Sequence, residues 1–210
     1  MKEFIEIEAT AKSRQHRRLI LGLGINDADY QVYIKLEGRR ITCHFYRTWV
    51  DMLTRCYSPN YHKRRPTYIG CSVVQSWLTF SVFKQWMQQQ DWQGKQLDKD
   101  LLLIGNKHYS PDTCIFISHA LNNLLNVREA ARGRYKIGVC WSKTSKKFMS
   151  ACTVDSESIC LGFFDTEEEA HLTYIKFKQA HVLKIAELQE SPKLRQALIT
   201  YANNILSINS

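Results

Sequence analysis

The sequence predicts an α+β chain, and three observations predict it. Apolar and aromatic residues recur at helical spacing in two stretches, Tyr46 to Cys56 and Trp77 to Met87. Residues Leu97 to Asn123 read as strand, loop, strand and helix start. After residue 134 the rhythm changes to three short strands, a long capped helix and a final amphipathic helix. The expected architecture is a helical N-terminal region bracing a strand–loop–strand–helix hairpin, then a three-stranded antiparallel sheet packed on a helix, then a C-terminal helix. The expected boundaries are a basic arm over 1–21, a first domain over 22–126, a linker over 127–134, a sheet domain over 135–190 and the last helix over 191–210.

Composition bounds the partners. At 44% hydrophobic and 23% charged, the chain is globular rather than disordered. Lys and Arg number 29 against 20 Asp and Glu, a net charge of +9. That balance points to a polyanion, with nucleic acid ahead of an anionic membrane surface. No stretch spans a bilayer and the first residues lack the apolar run of a signal peptide, so a cytoplasmic protein with no membrane partner is expected. The seven cysteines are odd in number, irregularly spaced and without CxxC, which fits a reducing compartment. A structural zinc would have to gather Cys43, Cys56, Cys71 and Cys114 from distant segments; buried thiols are the simpler expectation.

Taken in order, the chain opens with an arm ending in AKSRQHRR. Its Arg14, Arg17 and Arg18 suit phosphates or a minor groove, and a frayed terminus is the plain alternative. The GLG at 22–24 is too short for a dinucleotide fingerprint, and no βαβ pattern follows it. Tyr30–Tyr33 and Arg40–Phe45 read as short strands. Tyr46, Trp49, Met52, Leu53 and Cys56 form one helical core face, with Arg47 and Arg55 off it and in reach of a phosphate backbone. Ser58–Pro66 reads as a polar loop whose Lys63, Arg64 and Arg65 are candidate phosphate contacts; a solvated charge run is the alternative. Trp77, Phe80, Phe83, Trp86 and Met87 make a second core stripe.

Then comes the hairpin. Leu97–Leu103 is a short apolar run broken by acids, Gly105, Asn106, Ser110 and Pro111 mark a loop, and Cys114–Ile117 is a second run. Ser118 caps a helix that carries His119, Asn122 and Asn123. If the strands pair and the helix folds back, Asp98 and Asn122 face each other across a hard cation such as magnesium. A solvated strand end and a polar helix face are the alternative.

LDKD, GNKHYSPDTCIF and the following NN resemble the core of an HNH-type nuclease of bacteriophages and related mobile elements. GINDADY, WVDMLTRCY, PTYIGCSVV, WLTF and WMQQQDW, upstream, are similar to the same group. The resemblance covers roughly residues 22 to 125. It implies a ββα-metal hairpin with Mg2+ or Mn2+ on Asp98 and Asn122, and a histidine that activates water. Lys99 stands where that histidine is expected, and His108 and His119 lie nearby but off the motif position. Lys99, His108 and His119 are therefore the candidates for positioning water or steadying phosphate.

The last third reads as strands at Tyr135–Trp141, Lys147–Val154 and Ser158–Phe164, with turns at Lys143–Lys146 and Asp155–Glu157. Thr166 and Glu169 match a capping box opening a helix to about Gln189, with Ala170, Tyr174, Phe177, Ala180 and Ile185 expected over the sheet. Arg132, Arg134, Lys136, Lys143, Lys146 and Lys147 are the charged residues between Arg132 and Thr153, and none is acidic. Such a face suits a major groove, and an ordinary solvent-facing sheet is the alternative. Ser191-Pro192 opens the last helix, whose Leu194, Leu198, Tyr201 and Ile205 pack in cis or against a second copy in a homodimer.

YKIGV, KKFMSAC and LGFFDTEEEAHLTY resemble the plant ethylene-response-factor (APETALA-type) DNA-binding domain, over about Tyr135 to Tyr174. In that family arginines and a tryptophan on the sheet read bases. Here Cys140 and Ser142 stand near the arginine positions, and Trp141, Lys143, Lys147, Ser150 and Thr153 remain as contacts. The two resemblances together imply a homing-type endonuclease on double-stranded DNA, encoded by a phage or mobile element and acting in a bacterial host cell. The missing histidine leaves open a regulator that kept the nuclease shape, lost the chemistry and represses transcription. An RNA-binding packaging accessory is the third reading the charge allows.

Overall fold

The computed structural model describes residues 4–125, 134–154 and 157–205. The architecture is α+β, as expected, with seven α-helices and several small sheets among those residues. The chain divides into two compact units, Met1–Phe116 and Ile117–Ser210. Of the expected linker over 127–134, all but Arg134 lies outside the described residues.

The first unit starts with a five-residue helix, α1 (Ala11–Gln15), whose Ser13 amide donates to the Thr10 hydroxyl. A hairpin follows, β1 (Tyr33–Leu36) with β2 (Arg39–Thr42), registered Tyr33 to Thr42. Its tight turn is made by Glu37 and Gly38, which both take the positive φ that a two-residue link between right-twisted strands requires. Helix α2 (His44–Tyr57) buries Tyr46, Trp49, Met52, Leu53 and Cys56, the face that its spacing predicts. Ser58 then ends one helix and caps the next. Its hydroxyl accepts from the Tyr61 amide, with Pro59 in the first turn of α3 (Pro59–Arg64). The expected polar loop is thus a helix with a basic last turn.

The second aromatic stripe is split. Trp77 lies in a 3-10 turn (Gln75–Leu78), and Phe80, Phe83 and Met87 lie in α4 (Phe80–Gln88). Both halves still feed one core, in which Trp49, Trp77, Phe80 and Phe83 are all but sealed from solvent. The Trp49 indole meets its polar need by donating to the Trp77 carbonyl at 2.7 Å. Onto this core pack β3 (Ser72–Val73), parallel to β5 (His108–Tyr109), and β4 (Lys95–Asp98), which pairs with β6 (Ile115–Ser118), the strand in which the unit ends.

The second unit begins at the end of β6. Helix α5 (His119–Leu125) starts where the Ser118 hydroxyl accepts from the Leu121 amide. The sheet β7 (Val139–Ser142), β8 (Lys147–Val154) and β9 (Glu157–Phe164) is antiparallel in that order. Strand β7 begins later than Tyr135 because the Val139 amide closes a turn onto the Lys136 carbonyl. Helix α6 (Glu167–Glu187) lies on the sheet and has both halves of the Thr166–Glu169 capping box. Its buried face runs through Ala170, Tyr174, Ile175, Lys178, Val182 and Ala186, not through Phe177, Ala180 and Ile185. The final helix α7 (Pro192–Asn203) buries Leu194, Leu198 and Tyr201 in cis. Gln179 of α6 donates to the Ala202 carbonyl, and the Tyr201 hydroxyl to the Leu125 carbonyl at the end of α5. Among the described residues no helix is long and apolar enough to cross a membrane.

Candidate active site and nucleic-acid interface

The loop between β4 and β6 is built from its own polar side chains. Asp98 Oδ1 accepts from the amides of Asp100 at 3.0 Å and Leu101 at 2.8 Å, while Oδ2 accepts no hydrogen bond among the described residues. Burial pushes the Asp98 carboxyl above the usual carboxylate range; the Leu101 amide pulls it down and the charge of Asp100 pushes it up further. The result is an amide-anchored carboxylate with one oxygen uncommitted among the described residues, a donor suited to a hard cation.

Lys99 does not take the place of the expected histidine. It is 6% exposed, and Nζ donates to the Asn106 carbonyl at 2.6 Å and pairs with Asp100 at 2.5 Å. Asn106 completes the clasp. Its Nδ2 donates to the carbonyls of Lys99 and His108, and its Oδ1 accepts from the His108 amide. Lys99 therefore closes the loop rather than facing a substrate. The sequence marks Asn106 only as a turn residue, although a GN pair soon after a strand is the available signal.

The two histidines differ in chemistry. His108, on β5, is exposed, and its Nδ1 lies 2.9 Å from the Ser72 hydroxyl. A hydroxyl can accept from Nδ1–H, and that tautomer leaves Nε2 with a lone pair for a proton. His119, at the start of α5, has Nδ1 3.1 Å from Asn123 Nδ2. An amide nitrogen only donates, so the neutral His119 ring carries its proton on Nε2 and offers no base there. His119 also lines a cleft of about 320 Å³ in the second unit, together with Thr153 and His181. Asp98, Lys99 and His108 belong to the first unit, and His119 and Asn122 to the second.

Three of the four cysteines weighed for zinc sit close enough to interact around Lys99: Cys56, Cys71 and Cys114. Cys43 instead meets the Tyr30 hydroxyl at 3.3 Å. Burial pushes the thiols of Cys56 and Cys114 up to about 12, so they stay protonated. Among the described residues no three His, Cys, Asp or Glu side chains are arranged to hold a metal.

The basic candidates sort into exposed and committed. Arg14 and Arg18 are exposed, but Arg17 turns inward and donates to the carbonyls of Asn26, Ala28 and Tyr30 at 3.1, 2.5 and 2.9 Å. Arg17 is thus a clip that holds the arm, not a phosphate contact. Arg55 likewise folds in and donates to the Leu97 carbonyl at 3.3 Å. Lys63, Arg64 and Arg65, at the end of α3, are exposed and have no acidic partner among the described residues. Arg132 lies outside the described residues, and Arg134 is exposed.

In the sheet, Lys136 pairs with Glu168 at 3.2 Å and Lys147 with Asp165 at 3.0 Å. Lys143 and Lys146, on the β7–β8 turn, are exposed without an acidic partner among the described residues. Two expected contacts, Ser150 and Trp141, share one face of the sheet, but Ser150 is buried and Trp141 is 41% exposed. Ser150 is fully buried, its hydroxyl without a hydrogen bond, on the side of the sheet that α6 covers. Trp141 is registered opposite Phe148 and meets that ring edge-on at 4.9 Å, which puts it on the Ser150 side by the alternation of a strand. Thr153 is exposed on the opposite face.

No family model, curated protein or solved structure matches the chain.

Proposed function

We propose that this protein is a DNA-binding endonuclease of HNH type, hydrolysing phosphodiester bonds of double-stranded DNA with Mg2+ or Mn2+. Asp98 carries the reading: a desolvated, amide-anchored carboxylate with one oxygen uncommitted is what a hard cation needs. Asn122 is the second ligand that the resemblance names. A bound cation would stabilise the charge that develops on the transferring phosphate. His108 takes the role left vacant by Lys99, with Ser72 orienting its ring so that Nε2 receives the proton of the attacking water. Lys63, Arg64 and Arg65 in the first unit, and Lys143 and Lys146 in the second, supply phosphate contacts. On this reading the protein acts in the cytoplasm of a bacterial host.

The test is nicking of supercoiled plasmid and of linear phage DNA by the full chain, with Mg2+, with Mn2+ and with EDTA. Cleavage is expected with metal alone, absent in Asp98→Ala and Asn122→Ala, and reduced about 10²-fold or more in His108→Ala. Undiminished nicking by Asp98→Ala would remove the proposed centre. The committed ammonium of Lys99 favours a second reading, a repressor that occupies DNA without cutting it. A gel shift with no cleavage under any metal would select that reading.

A further inference from the structure

The outer face of the β7–β8–β9 sheet is open to solvent, and the strand register fixes what it carries. Cys140, Met149 and Phe163 form one row across the three strands. Ala151 and Cys160 form a second, Thr153 and Ser158 a third, and Ser142 and Lys147 a fourth beside the β7–β8 turn. The register shift at Ser150/Ala151 keeps Phe163 and Cys160 on the same side, because it inserts one extra residue into β9 between them. Phe163 is 46% exposed, and Cys140, Cys160 and Thr153 are exposed as well.

Guanine and adenine edges are read mainly by Arg, Lys, Asn or Gln, and in these rows the residue of that kind is Lys147, which lies at the end of the face and is paired with Asp165. The small apolar and thiol groups of the face are instead suited to one feature of the major groove, the thymine C5 methyl. Charge favours a nucleic acid as the occupant. Lys143 and Lys146 rim the face at the β7–β8 turn without acidic partners among the described residues, which suits a polyanion. The Lys147–Asp165 pair at the same end is exposed on both sides, so phosphate displaces Asp165 at little cost.

Resting on the proposed DNA binding, we infer that the second unit reads thymine-containing steps of duplex DNA through their C5 methyl groups, with Met149 and Phe163 as the contacting side chains. The test is fluorescence anisotropy of the full chain, in EDTA and at fixed salt. The probes are an alternating A·T duplex, the same duplex with every thymine replaced by uracil, and a G·C duplex. Uracil differs from thymine by the methyl alone. Affinity is expected to fall about fourfold for each methyl engaged, and Phe163→Ser and Met149→Ser should bind thymine and uracil duplexes alike. Equal binding of both duplexes by the unaltered chain overturns the inference and leaves DNA binding standing. Failure to bind any duplex overturns both. A concentration-dependent dimer that Phe163→Ser dissociates assigns the face to a second copy and also overturns it.

Discussion

Lys178 shows how much one misplaced charge can hide. It is 1% exposed in the middle of α6, its ammonium 5.8 Å from the Tyr174 ring and 5.9 Å from the Tyr201 ring. Burial pulls its pKa from 10.5 down to about 8, with Cys152 pulling slightly the other way. Between those two values Lys178 holds its proton more fully in the unfolded state than in the folded one, so its own contribution to stability rises with pH across that window. Below about 8 the buried charge remains and costs about 3 kcal/mol. Lys178→Met keeps the apolar stem and removes the charge. Its melting temperature should exceed that of the parent at pH 7, and the difference between the two should shrink from pH 8 to 10. Identical melting curves at pH 7 would contradict this. Arg17 makes the converse point: a cation assigned to DNA by its basic neighbours is committed to three carbonyls. Arg17→Ala is expected to lose about 3 kcal/mol in chemical unfolding, because charged hydrogen bonds are the stronger kind, while the salt dependence of DNA binding stays unchanged.

At the scale of elements, the sheet and α6 are matched at Gly138. This residue has φ +78, and a Cβ there would run into the Tyr174 ring. Gly138→Ala therefore combines left-handed strain with overpacking, and thermal unfolding should show a loss of about 3 kcal/mol or more. A loss under about 1 kcal/mol would mean that Tyr174 has room to move. The position of α6 is legible from its capping box, but its buried face is not. The core residues step by four from Ala170 through Tyr174, Lys178 and Val182 to Ala186. A lysine in that ladder breaks the apolar pattern, and periodicity then points to Phe177 and Ala180 instead. The turn before β7 is illegible for a similar reason: Tyr135–Trp141 alternates like a strand, while a local amide–carbonyl bond takes its first residues into a turn.

For the molecule as a whole, binding of a polyanion depends on which cations remain uncommitted. Changing Lys63, Arg64 and Arg65 together to Gln should lower the slope of log affinity against log salt by about 0.9 for each phosphate that is no longer neutralised. An unchanged slope, measured by anisotropy on a duplex of mixed sequence, would place the binding surface elsewhere. The sequence by itself determined the α+β class, the order of most elements, the two aromatic core stripes and the caps at Ser118, Thr166 and Ser191, because each rests on spacing or on one local hydrogen bond. Only the tertiary structure decided the fate of the polar candidates: Lys99 and Arg17 turned inward, Ser150 beneath α6, His108 held by a serine from a different strand, and the apolar outer face of the sheet. Each of these depends on carbonyls, hydroxyls or faces supplied by residues distant in sequence, and a residue's own type and neighbours do not encode which of them it will meet.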